Sequence, residues 1–277
     1  MQIDEGITYI MLPKAPLMGV SVTVAPVEKI LSVIETFLSK KKSAIPLESH
    51  LTIVTPNPEQ IMLAQKDPAF QAILNHADIA LPDGMGVVWA LKKVPSIRNQ
   101  VSSTERIPGI DFMEQLCAMA SKNGWPVAFI GGRRGVGQKA LINLQKKYPG
   151  LTGFTDDGPV IHTKNSTFDI PRVYVEMLAR LLKEKNIRFV FVGLGAPKQE
   201  YFVEYFHSVV LHIMQKNPLV LMSVGGSFDI FAGKIKRAPK SVQSLGFEWL
   251  WRLFHEPWRI KRQMVLVEFF LKVLFQR

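Results

Sequence analysis

A single cysteine, Cys117, in 277 residues leaves this chain unable to build a disulfide framework or a thiolate metal site. Its six histidines, His50, His76, His162, His207, His212 and His255, form no HExxH and no close ligand pair, so no metal is expected. The adjacent acids of "TDDG" at 155–158 read as a turn. There is no GxSxG elbow, which argues against a serine hydrolase, and no GxxxxGK[ST] phosphate loop. The N-terminus starts acidic and breaks its apolar stretch with Lys14 and two prolines, unlike the basic-then-apolar order of a signal peptide. A reducing, cytoplasmic compartment is the expectation.

What is present is core material and a repeated pattern. Hydrophobic residues make up 47% of the chain, enough to fill one large domain. "GVSVTV" leads to "VEKILSVIETFLSKKK", "HLTIVT" to "PEQIMLAQKDPAFQAILNHA", "IALPDG" to "MGVVWALKKV", "VAFIGG" to "GQKALINLQKKY", and "RFVFVGLG" to "PKQEYFVEYFHSVV". Strand then helix, repeated, predicts an α/β fold with a mainly parallel sheet covered on both faces. In such sheets ligands bind outside the carboxyl ends of the strands, so the turns just quoted are predicted to converge on one edge.

Charge is uneven. Residues 234–277 hold ten Lys or Arg against three Glu, a net +7, whereas the other 233 residues carry +4 of the total +11. The predicted division is therefore a catalytic body over 1–233 and a basic helical appendage over 234–277. Within the appendage, "SLGFEWLWRLFHE" and "MVLVEFFLKVLF" flank a Pro-Trp break. Glu268, Lys272 and Gln276, spaced by four, leave one narrow polar stripe on an otherwise apolar helix. Neither segment has the roughly 20 apolar residues that span a bilayer. Trp249, Trp251 and Trp258 interleaved with Arg and Lys fit an anionic membrane surface. The other reading is core packing or a homo-oligomer contact. Nucleic acid is not expected, because the tail carries no helix-turn-helix or single-strand stacking pattern.

The strand-end loops carry the chemistry-bearing residues. Asp83 sits in "LPDGMG", where Asp-Gly is also ordinary turn chemistry. Thr55 and Asn57 sit in "IVTPNPEQ", where Asn57 is a good helix N-cap ahead of Pro58. "FIGGRRGVGQKA" offers Gly131 and Gly132 beside Arg133 and Arg134, either as a phosphate cradle or as a tight packing turn. Its glycines miss the GxGxxG spacing. "VGLGAPKQEYF" offers Gly195, Lys198 and Gln199, and "SVGGSFDIFAGKIKRAPK" offers Gly225 and Gly226.

With these turns in order, the sequence resembles the WecG/TagA/CpsF glycosyltransferases. The matching stretches are "TPNPE", "LPDGMGVVWA", "RIPGIDFMEQL", "VAFIGG", "GLGAPKQE", and "SVGGSFDIFAGKIKRAPKSVQSLGFEWLWRL" followed by "EPWRIKRQ", from about residue 17 to 263. The resemblance implies a Rossmann-like catalytic domain with a C-terminal appendage that meets the cytoplasmic face of the membrane. It implies inverting transfer of a sugar (N-acetylmannosamine, its uronic acid or glucose) from a UDP-sugar to a polyprenyl diphosphate-linked sugar in cell-surface polysaccharide synthesis. The family's motifs place the proposed catalytic base on Asp83, and further active-site residues on Thr55, Asn57, Arg106 and Gln199. Appendage arginines that approach the diphosphate are sought among Arg237, Arg252, Arg259 and Arg262. "PVIH" after Gly158 and the insert "KKVPSIRNQVSST" depart from many relatives and bear on the sugar.

Two other readings stay open at this point: a nucleotide-dependent oxidoreductase, weakened by the missing GxGxxG, and a non-catalytic membrane-binding protein.

Overall fold

The computed structural model describes residues 12–39, 50–93, 105–164, 167–210, 213–214, 217–244, 248–255 and 260–275. β1 (Lys14–Leu17) and β2 (Val20–Thr23) form an antiparallel hairpin. Met18 and Gly19 join them at φ +49° and +75°, the left-handed pair a two-residue turn requires. The run "GVSVTV" is thus not a strand of the parallel sheet. Two connecting residues allow only antiparallel pairing, since a parallel pair needs a crossover of about a dozen.

α1 (Val27–Ser39) buries Ile30, Val33, Ile34 and Leu38 along one face. β3 (His50–Val54) is followed by α2 (Pro58–Ala64) and α3 (Pro68–His76). The sequence reads as one helical stretch here, but Pro68 cannot continue α2 and Asp67 caps the new helix by accepting from Phe70 N at 3.0 Å. Then come β4 (Ile79–Ala80), α4 (Met85–Lys93), α5 (Gly109–Asn123), β5 (Val127–Gly131), α6 (Val136–Lys147) and β6 (Gly153–Asp156). "TDDG" closes β6 as a turn, with Asp156 Oδ1 accepting from Gly158 N at 2.7 Å. A small hairpin of β7 (His162–Lys164) and β8 (Thr167–Asp169) precedes α7 (Arg172–Glu184), β9 (Phe189–Gly193), α8 (Lys198–Val210) and β10 (Leu219–Ser223). The chain ends in α9 (Ser227–Phe231), α10 (Lys240–Ser244), α11 (Glu248–His255) and α12 (Ile260–Phe275).

Six strands make one parallel sheet in the order β4-β3-β10-β9-β5-β6. Its central strands read as unbroken apolar runs because both faces are covered. In β9, Phe189 and Phe191 point to the layer of α1, α5 and α6, while Val190 and Val192 point to α7 and α8. β5 and β10 divide their side chains the same way, as the two-residue strand period dictates. A third cluster lies beneath the hairpin, where α2, α3 and α4 pack together with Phe269 and Val273 of α12. The architecture is the expected Rossmann-like α/β sheet. Among the described residues no helix is long and apolar enough to cross a membrane.

Candidate active site

Four adjacent strands, β4, β3, β10 and β9, release their carboxyl-end loops into one cleft of about 1050 Å³. The loop after β3 brings Thr55 and Asn57, that after β4 brings Asp83, and those after β9 and β10 bring Gly195 and Gly225–Gly226. Asp83 is fixed from both sides. Its own N–H donates to Pro56 O at 3.3 Å, and Ile107 N donates to Pro82 O at 3.1 Å. The next residue turns at φ +97°, a conformation suited to Gly84, and α4 begins directly after it. A half-buried carboxylate is thereby held at the cleft on a backbone with little freedom.

Asn57 does what its local sequence predicts: its Oδ1 accepts from Gln60 N at 3.0 Å while Gln60 Oε1 accepts from Asn57 N at 3.3 Å, a capping box on α2. With Oδ1 committed to the helix, the amide offers its Nδ2 hydrogens to a ligand. Thr55 is packed against Gly109, where a Cβ would fall 2.9 Å from Thr55 Cγ2, so α5 starts on a glycine that lets it approach.

Beneath the cleft floor runs a buried polar chain. Glu200, fully buried, accepts at one oxygen from Gln60 Nε2 at 3.0 Å and from Gln199 Nε2 at 2.8 Å. Gln199 in turn accepts at Oε1 from Gly225 N at 3.0 Å. Burial pushes the Glu200 carboxyl up to about 7, against the lowering effect of the glutamine hydrogen bonds.

The cations are also engaged. Arg106 Nη2 donates to Glu248 Oε2 at 2.6 Å. Arg237 makes a two-pronged pair with Asp111, through Nη1 to Oδ1 and through Nη2 to Oδ2 at 2.7 Å, with Glu248 Oε1 4.0 Å from its Nε. The Asp111 partner holds the Arg237 guanidinium firmly protonated. Glu248 therefore ties α11 to the start of α5 and to the segment before α10.

The apolar part of the cleft lining comes largely from the last helix. Met264, Leu266, Val267 and Phe270 of α12 line it, together with Leu253 of α11, Leu63 of α2 and Met85 of α4. α12 is docked by Phe269 and Val273, both buried, and by an edge contact of Phe270 on Trp89 at 5.0 Å between ring centres.

The family model for "Glycosyl transferase WecG/TagA/CpsF family" matches residues 15–277, nearly the whole chain. The chain belongs to that family. It is a glycosyltransferase, and a WecG/TagA/CpsF member acts on a sugar donor and an acceptor.

Of the residues that the sequence singles out, this family member brings Thr55, Asn57, Asp83, Arg106, Gln199, Gly195, Gly225 and Gly226 to the one cleft. Gln199 arrives there with both ends of its amide bonded to protein groups, so it braces the Gly225 loop. Gly131, Gly132 and Lys198 lie off the cleft lining. The two glycines are packing positions: a Cβ on Gly131 would fall 2.4 Å from Gly193 O, and one on Gly132 2.7 Å from Gly137 N. Arg133 Nη2 donates to Pro159 O at 2.8 Å and Lys198 Nζ to Ile161 O at 3.2 Å. Arg237 also lies off the lining, in its pair with Asp111. Arg252 and Arg262 lie on α11 and α12, while Arg259, like Trp258 and the insert after Lys93, lies outside the described residues. Sequence reasoning missed Gln60, Asp111, Glu200 and Glu248. All four stood inside quoted stretches, "IVTPNPEQ", "RIPGIDF", "PKQE" and "SLGFEWLWRLFHE", and Glu200 directly follows Gln199.

Proposed function

We propose that this glycosyltransferase moves a hexose or N-acetylhexosamine-type sugar (N-acetylmannosamine, its uronic acid or glucose) from a UDP-sugar to a polyprenyl diphosphate-linked sugar, with inversion. The observation that carries the reading is one cleft whose lining holds both a fixed carboxylate, Asp83, and apolar residues of α12. An acceptor with a polar head and a lipid tail matches that mixed lining. In the reaction, the acceptor hydroxyl oxygen attacks the anomeric carbon, its proton passes to Asp83, and the bond to the UDP oxygen breaks with its electron pair leaving on the diphosphate. Arg106 supplies charge neutralisation, and no metal is required. The protein works as a peripheral enzyme on the cytoplasmic face of the membrane, with the outer face of α12 against anionic lipid.

The test is a panel of UDP-sugars incubated with a short-chain diphosphate-linked GlcNAc or glucose acceptor, read by product mass and anomeric configuration, with and without EDTA. Transfer of one sugar with inverted configuration, unaffected by EDTA, is the expected result. Retained configuration or EDTA-abolished transfer overturns this mechanism.

A further inference from the structure

Glu200 is an uncommon residue to bury. It is fully excluded from solvent, its Oε2 has no hydrogen-bond partner among the described residues, and its side-chain partners are two neutral amides. A buried carboxyl with an unpaired oxygen costs stability that an apolar residue of similar size avoids. Its placement is not that of a surface ion pair drawn inward. It lies one residue from the cleft-lining Gln199, and it bonds a side chain 140 positions away, that of Gln60.

What the carboxyl does is set the direction of two amides. Because its Oε1 accepts from both Nε2 groups, each glutamine must turn its own carbonyl oxygen the other way. For Gln60 that oxygen meets Asn57 N, and for Gln199 it meets Gly225 N. An amide reversed at either place would set N–H against N–H. One acceptor thus fixes the cleft loops after β3 and β10 and ties both to α8, which follows β9.

We infer that Glu200 is a positioning residue, whose buried carboxyl orients Gln60 and Gln199 so that Asn57 and the Gly225 loop hold the geometry sugar transfer needs. Its influence on turnover rests on the transferase reading, whereas its influence on the Gly225 amide does not. Two variants separate the roles. Glu200→Gln keeps one carbonyl oxygen for both amides, and Glu200→Leu keeps the volume and removes the acceptor.

In amide hydrogen exchange, the Leu variant is expected to expose Gly225 N–H at least about tenfold faster, the size of one net hydrogen bond, while amides inside β9 and β10 hold. The Gln variant is expected to keep Gly225 protected. In the transfer assay the Leu variant loses roughly tenfold or more in kcat with a smaller change in KM for the UDP-sugar, and the Gln variant restores turnover to within about threefold of the parent. A folded Leu variant with unchanged Gly225 protection overturns the proposal, and so does a folded Gln variant that loses as much turnover as Leu. A parent protein that transfers no sugar sinks the functional reading alone, since the exchange result stands by itself. If the Leu variant does not fold, Gln60→Met tests one arm. Asn57 N–H should then lose protection while Gly225 keeps it, and equal behaviour at the two sites overturns the proposal.

Discussion

Arg106 and Glu248 meet at 2.6 Å across 142 positions of sequence, so a cleft-lining cation already holds an anion supplied by α11. The pair is largely buried, with side-chain exposures of 17% and 10%, so its strength is not screened away. A diphosphate that uses Arg106 must compete with the Glu248 carboxylate or share the guanidinium with it. Glu248→Gln keeps the shape and removes that competing charge. UDP is expected to bind several-fold more tightly to the variant, and isothermal titration calorimetry measures it. Weaker binding would show that Glu248 orients Arg106 for the ligand more than it competes.

Asp83→Asn tests the base. The turn at Gly84 sets the backbone, and Asn suits an Asx-Gly turn as well as Asp does. Folding should therefore be unchanged within about 0.5 kcal/mol. Turnover is expected to fall by roughly 10² to 10⁴, the range for loss of a positioned general base, with UDP affinity within about threefold of the parent. Paired calorimetry and transfer rates decide it; equal loss of both would make Asp83 a binding residue.

Much of this site can be read locally. The Asn57–Pro58 cap, the Asp83–Gly84 turn and the apolar runs of β5, β9 and β10 follow from residues next to one another, where short-range chemistry leaves few options. The tie between Gln60 and Glu200 is not written locally. Nothing near either residue tells that a glutamine on α2 and a glutamate on α8 share a buried contact, because only the sheet order brings those helices together. The two loops of glycines look alike in sequence and differ in the fold. Gly225–Gly226 borders the cleft, whereas Gly131–Gly132 is pressed against Gly193 and Gly137. β1 is not legible in "KAPL", which has a proline and a lysine in four residues, and without that partner "GVSVTV" reads as a strand of the parallel sheet.

The two faces of α12 make separable predictions. At 100° per residue, Phe269 and Val273 fall on one side and Met264, Val267, Leu271, Leu274 and Phe275 on the other, with Glu268 and Lys272 paired at 3.2 Å along one border. The first side is buried; the second is between 50% and 79% exposed. Phe269→Ala is expected to cost about 3 kcal/mol and to loosen the apolar wall of the cleft, seen as a lower unfolding midpoint and reduced turnover even on a water-soluble acceptor. Leu271→Ser with Leu274→Ser should move the midpoint much less than Phe269→Ala, because each side chain is at least half exposed in the folded protein. The same pair is expected to weaken sedimentation with vesicles of phosphatidylcholine and phosphatidylglycerol by roughly tenfold. Unchanged vesicle binding would remove α12 from the membrane contact.

Glu200 also gives the protein a measurable pH response in stability. Burial lifts its carboxyl from 4.5 to about 7, so the folded state keeps a proton that the unfolded chain releases. The native state is favoured by this group below about pH 4.5, and that advantage is lost as pH rises through about 7. The span corresponds to a change on the order of 3 kcal/mol. Other ionisable groups also respond to pH, so the parent's own curve mixes several contributions. Subtracting Glu200→Gln isolates the one that matters, because the amide does not titrate and fills the same volume. Urea unfolding at a series of pH values should show the parent losing stability relative to the Gln variant between about pH 4.5 and 7, and a constant difference above it. A flat difference across the whole range would mean that the carboxyl ionises in the folded protein as readily as in the unfolded chain, and that water reaches it.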